Sequence, residues 1–205
     1  MQALLIVDVQ QDFCPGGKLA VANGGDVVPV INALMKHFAV VVMTQDWHPE
    51  GHQSFASSHP GCLPFETIAM DYGKQVLWPD HCVQGTSGAS FHEDLQTNAA
   101  TIIIRKGYHP RIDSYSAFFE NDGKTKTGLA GLAQELGITE FVVTGLATDF
   151  CIKWTVLDGL RLGFGMTVVE DAVLGIDLDG SVQLAWDEML QAGAGRACST
   201  DFALP

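Results

Sequence analysis

Two periodicities alternate along the chain. Short runs rich in β-branched residues recur at positions 3–9, 40–45, 101–105, 141–145, 166–170 and 195–199, and they predict buried strands. Between several of them apolar residues fall at helical spacing: Val27, Val30, Ile31, Leu34 and Phe38, then Trp154, Leu157 and Leu160, then Val182, Ala185 and Met189. These predict amphipathic helices. Gly137, Gly163 and Gly193 stand where helices would stop. Strand alternating with helix implies a mostly parallel sheet covered on both faces, because crossover helices must pack back onto it. The expected fold class is therefore α/β, a three-layer α/β/α sandwich with a mostly parallel central sheet, built as one domain over residues 1–205. Segment 46–99 has few periodic signals and many Gly, Pro, His and Trp residues, so it reads as an elaborated loop region, the kind of place where a site is carried.

Composition narrows the function classes. At 205 residues and 47% hydrophobic content the chain can bury a sizeable core. A net charge of -13 would repel phosphate backbones and anionic lipid head groups, which disfavours nucleic acid and membrane surfaces as partners. The first apolar run is too short for a signal peptide or a membrane span, so a cytoplasmic chain is expected. Five scattered cysteines without a CxxC pair indicate reduced thiols and neither a disulfide framework nor a thiolate zinc site.

In open α/β sheets ligands collect at the carboxyl ends of the strands. The first strand finishes at Asp8, the second runs into Asp46 and His48, the third ends at Lys106, and the fourth leads through Gly145-Leu-Ala-Thr-Asp-Phe-Cys151 into a helix. Thr148 or Asp149 would cap that helix and place the Cys151 thiol in its first turn, where the dipole favours a thiolate. Asp8 could take the thiol proton and deliver it to a leaving amine, and Lys106 could hold thiolate and carboxylate together. For an isolated cysteine a small buried hydrophobe is the commoner role, and a lone lysine after a strand is usually just solvated. Asp46 and His48, two apart on an extended segment, can point the same way and offer one oxygen and one nitrogen ligand. A third ligand would come from His52 or His81, the latter in Trp78-Pro-Asp-His81. Such a set would suit zinc, iron or manganese. His37, His59, His92 and His109 read as surface residues.

Taken together, six segments resemble the nicotinamidase family of isochorismatase-like cysteine hydrolases, over nearly the whole chain. They are Leu4-Leu-Ile-Val-Asp8-Val-Gln-Gln-Asp-Phe13-Cys-Pro-Gly-Gly17, Gln45-Asp46-Trp-His48-Pro-Glu-Gly-His52, Trp78-Pro-Asp-His81-Cys-Val-Gln84, Arg105-Lys106-Gly, Asp113-Ser-Tyr115-Ser-Ala-Phe118 and Gly145-Leu-Ala-Thr-Asp-Phe-Cys151. The resemblance implies an Asp8, Lys106 and Cys151 triad that converts nicotinamide and water to nicotinate and ammonia through a covalent acyl-enzyme, and hydrolysis of pyrazinamide as well. It implies backbone N–H groups of Ala147 and Cys151 as the oxyanion site, with a cis peptide before Ala147. It implies one divalent metal ion held by Asp46, His48 and His81, with His52 ranked below them, and an aromatic ring site at Phe13, Trp78 and Tyr115. Two other readings stand beside it: a relative acting on another small amide or on isochorismate, and a metal-binding or interaction module without turnover. The oligomeric state, single chain or homo-oligomer, stays open, as does the identity of the metal.

Overall fold

A computed structural model describes residues 1–202. In chain order the strands are β1 (Gln2–Val7), β2 (Val41–Asp46), β3 (Thr67–Met70), β4 (Gly73–Val76), β5 (Ile102–Lys106), β6 (Glu140–Leu146), β7 (Gly165–Leu174) and β8 (Gly195–Ala197). The α-helices are α1 (Val27–Leu34), α2 (Leu129–Glu135), α3 (Lys153–Arg161) and α4 (Ser181–Gln191). Six strands form one sheet in the order β5-β2-β1-β6-β7-β8, and every pair in it is parallel. The period of two along β1 divides the core. Leu4 and Ile6 join Val27, Val28 and Ile31 of α1 on one face, whereas Ala3, Leu5 and Val7 join Leu129 of α2, Val156 of α3 and Met189 of α4 on the other. Each fully buried large side chain contributes roughly 1.5–3 kcal/mol. The three-layer sandwich follows from that division. No helix among the described residues is long and apolar enough to cross a membrane, and all five cysteines are free.

Strand order fixes where the polar strand ends meet. The chain leaves β1 through α1 toward β2 and leaves β6 through α3 toward β7, in opposite directions along the sheet. A crevice opens at such a switch point, outside the carboxyl ends of the two strands. Asp8 follows β1, residues 147–151 follow β6, and Asp46 and Lys106 are the last residues of β2 and β5, paired in register. Four adjacent strands thus deliver all four groups to one edge.

Local details depart from the sequence reading in three places. The first strand ends at Val7, and Asp8 turns the chain with a left-handed backbone, φ 49°. Segment 46–99 contains the β3–β4 hairpin, paired from Thr67↔Val76 to Met70↔Gly73; its sides are largely solvated, so no clean apolar alternation marks it. In α3 the buried positions are Thr155, Val156 and Gly159, and Trp154 is 43% exposed under the Lys153 ammonium. The helix stops hold: the N–H groups of Gly163 and Phe164 return to the carbonyls of Leu160 and Gly159, a pair of bonds that Gly163 completes at φ 88°.

The face assignment in α3 is testable. Val156→Ala removes fully buried surface and should cost about 2 kcal/mol in urea denaturation, whereas Trp154→Ala should cost less than about 1 kcal/mol. The reverse order would refute the assigned face.

Candidate active site

Lys106 is the convergence point. Its Nζ lies 2.8 Å from Asp8 Oδ2, 2.8 Å from Asp46 Oδ1, 2.7 Å from the Ser114 carbonyl and 3.6 Å from Cys151 Sγ. Lysine, both carboxylates and the cysteine are buried. Burial alone would neutralise the amine, but Asp46 and Asp8 outweigh it and hold the ammonium well above its usual range. Burial also raises the Asp46 carboxyl, yet Lys106 and His48 keep it well below the ordinary value. Asp8 behaves differently: burial wins over Lys106 and raises it. Thr44 donates a 2.6 Å hydrogen bond to Asp8 Oδ1, which fixes the carboxylate plane while Oδ2 stays on the Lys106 side.

Cys151 sits in a π-helical turn, Thr148–Ile152, between β6 and α3, where the Ile152 N–H reaches back to the Ala147 carbonyl. The expected cap is absent. Ala147 occupies that position with no side-chain bond, because the Asp149 carboxylate accepts instead from the N–H groups of Ile176 and Asp177 and from Ser181 Oγ. Nor does the turn alone favour a thiolate. Burial pushes the thiol well up and Lys106 opposes it, while Asp8 and Asp46 push it further. The helical turn therefore places the thiol, while burial, opposed by Lys106 and reinforced by Asp8 and Asp46, pushes its pKa up. The Leu146–Ala147 peptide is cis. One residue earlier, Gly145 is at φ 111°, and a Cβ there would lie 2.1 Å from the Val7 carbonyl oxygen, so only glycine lets β6 close on β1 at this point.

A second cluster shares Asp46. His48 Nδ1 is 2.9 Å from the Gly107 carbonyl and His81 Nδ1 is 2.8 Å from the Pro79 carbonyl. A carbonyl only accepts, so both Nδ1 atoms carry the proton and both Nε2 atoms turn toward Asp46 Oδ2, at 3.2 and 3.6 Å. Three electron pairs facing one another need a positive charge between them. Burial disfavours a charged His48, but Asp46 beside it prevails and lifts its pKa to about 9. One carboxylate and two imidazoles with backbone-anchored Nδ1 atoms are a donor set that could hold a divalent ion. His48, His52 and Asp113 form another close grouping. There, however, His52 Nδ1 accepts from the Ser54 N–H, its Nε2 is 2.8 Å from the His109 carbonyl, and burial with His48 nearby lowers its pKa to about 4. Both of its nitrogens are engaged within the protein.

Cys151, Asp46 and His81 line one cavity. Phe13, Trp78 and Tyr115 form aromatic walls with Phe150, and Leu19 and Ile176 complete the apolar lining. Trp78 meets Phe150 edge to face with centroids 4.8 Å apart. The free volume of this cavity, about 20 Å³, holds roughly one water. A larger cleft of about 610 Å³ lies beside Tyr72 and Arg111 and contains neither group of reactive residues. Sequence reasoning missed several residues here. Phe150, next to Cys151, could have been found from its neighbour. Thr44 is a polar residue inside an apolar run and Gln10 directly follows one; Gln10 receives the Asp46 N–H at 2.7 Å and donates to the Asp46 carbonyl at 2.9 Å, which clamps β2 beside β1.

Fold and site together define a class: residues 2–201 match the isochorismatase domain, and the chain belongs to the isochorismatase family. Within it, the chain is 53% identical over 200 residues to the nicotinamidase of Acinetobacter baylyi, covering 98% of this chain and 94% of that one. Among solved structures it resembles an Acinetobacter baumannii nicotinamidase and pyrazinamidase, with a TM-score of 0.97, 56% identity and 98% of each chain covered. It also resembles PnC1 from L. infantum in complex with nicotinate (TM-score 0.85, 38% identity, 98% and 93% covered) and the pyrazinamidase of Pyrococcus horikoshii in complex with zinc (TM-score 0.78, 34% identity, 96% and 98% covered).

Zinc titration of chelator-treated protein distinguishes the two clusters. Asp46→Ala and His81→Ala should each weaken zinc by about 100-fold or more, and His52→Ala, a residue with both nitrogens bonded, by no more than about tenfold. Equal losses at all three positions would place His52 among the ligands.

Proposed function

We propose that the protein is a nicotinamidase, a cysteine amidohydrolase that converts nicotinamide and water to nicotinate and ammonia. The observation that carries this reading is the buried contact of one ammonium with Asp8, Asp46 and Cys151, the last two of which line an aromatic slot. The nicotinamidase from A. baylyi and the nicotinate bound in the L. infantum structure name the substrate. Pyrazinamide differs from nicotinamide by one ring nitrogen and should fit the same slot, in keeping with the A. baumannii relative.

The residues divide the reaction between them. Phe13 and Trp78 hold the ring and Tyr115 lines the slot, which sets the amide carbon over Cys151. Asp8, whose carboxyl is more basic than usual, accepts the thiol proton as Sγ attacks the amide carbon. Lys106 stabilises the charge that passes between sulfur and carboxylate. The N–H groups of Ala147 and Cys151 receive the oxyanion. Asp8 then returns the proton to the departing ammonia, and the carbonyl stays on Cys151 as a thioester. Finally Asp8 draws a proton from water as it attacks the thioester, which frees nicotinate and restores the thiol. A divalent ion such as the zinc of the P. horikoshii relative, held by Asp46, His48 and His81, would supply a Lewis-acidic anchor for the pyridine nitrogen.

Purified protein supplied with zinc should release ammonia from nicotinamide, and Cys151→Ala should lower the rate by about 10⁴-fold or more while zinc affinity stays within about threefold. Turnover that survives in Cys151→Ala would rule out the thioester route. The acid limb of kcat/KM reports the free-enzyme base. Because the Asp8 carboxyl lies above its ordinary 3.8, activity should be complete above that raised pKa. It should be lost as pH falls through it, when the carboxyl gains the proton that it must accept from sulfur. An acid limb at or below 3.8 would remove Asp8 from the role of base.

A further inference from the structure

We propose that Gln75, on the β4 strand of the hairpin and outside the reacting groups, is a positioning residue that sets the width of the ring slot. The proposal rests on the amidohydrolase reading above and extends it to a residue that touches no substrate. Gln75 is fully buried although its hairpin is largely solvated, and every polar atom of its amide is used. Its Nε2 lies 2.6 Å from Asp113 Oδ2, 2.7 Å from the Val76 carbonyl and 3.0 Å from Tyr115 Oη. Its Oε1 accepts from Tyr72 Oη at 3.1 Å and from Asn121 Nδ2 at 3.2 Å. The orientation is unambiguous: a carboxylate only accepts, so the NH₂ end must face Asp113.

The two slot walls are tied to that amide. Trp78 Nε1 donates to the same Asp113 Oδ2, at 3.2 Å, and Tyr115 reaches the amide nitrogen directly. Trp78 and Tyr115 stand edge to face with centroids 6.2 Å apart, and both meet Phe150. In a slot with room for about one water, ring entry is a matter of how these walls are held apart and brought back. Removal of the amide would leave the buried Asp113 carboxylate short of a donor, a loss that side-chain rotation of Trp78 and Tyr115 would relieve. Cys151, Asp8 and Lys106 keep their own contacts, and the network meets them through Ser114, whose N–H donates to Asp113 Oδ1 and whose carbonyl accepts from Lys106 Nζ.

The test compares native protein with Gln75→Leu, and with Gln75→Glu in case the leucine variant does not fold, since glutamate keeps the length and loses the NH₂ donors. For each folded protein one measures kcat and KM for nicotinamide, Kd for nicotinate, and zinc affinity. The expected result is a KM and a nicotinate Kd raised about tenfold or more, kcat within about threefold, and zinc affinity unchanged. A native-like KM and Kd would overturn the proposal, and so would a loss confined to kcat or accompanied by loss of zinc. Failure of the native protein to release ammonia would instead defeat the functional reading, and nicotinate binding would still judge the slot.

Discussion

An ammonium buried among two carboxylates, a carbonyl and a thiol is the constraint on which the site depends. Moving such an ion into a protein interior costs several kcal/mol, repaid only if its partners are held in place. The sheet holds them. Lys106 and Asp46 are paired across β5 and β2, β1 lies next in the order and carries Asp8 at its end, and β6 lies beyond it and leads to Cys151. The Lys106 side chain therefore spans the ends of four strands whose spacing the core sets, and core packing and site geometry become one problem.

Asp46 links two pieces of chemistry through its two oxygens. Oδ1 meets Lys106, while Oδ2 faces the Nε2 atoms of His48 and His81. The histidines are aimed from behind by the carbonyls of Gly107 and Pro79, and Gly107 must lack a side chain because a Cβ would lie 2.5 Å from His48 Cε1. The aromatic slot closes over both clusters, with walls braced from the hairpin side by Gln75 and Asp113. Each shell of the site is thus held by the shell outside it.

Much of this was legible in the sequence, for a physical reason: Asp8, Asp46 and Lys106 are polar residues that terminate apolar runs, and in a parallel sheet such ends share one edge. Residues whose role depends on partners remote in sequence were harder to read. Burial raises the Cys151 thiol, Lys106 opposes it, and Asp8 and Asp46 raise it further, so local capping rules mislead. Asp149 looked like a helix cap and instead anchors the loop before α4. Only the family resemblance ranked His52 below the other ligands; spacing alone did not, because its partners, Ser54, His109 and Ile112, come from two loops. The β3–β4 hairpin lacks an apolar alternation, and its one deeply buried polar residue, Gln75, has no local signal at all.

The most direct test of the central claim is the pH dependence of Cys151 alkylation by iodoacetamide, followed on the Cys151 peptide by mass spectrometry, in native protein and in folded Lys106→Met. If the buried ammonium governs the site, its loss removes the positive charge beside the sulfur, and the alkylation profile should move to higher pH, with slower reaction at any pH below the native midpoint. Coincident profiles would mean that the ammonium does not act on the thiol, and would contradict the account.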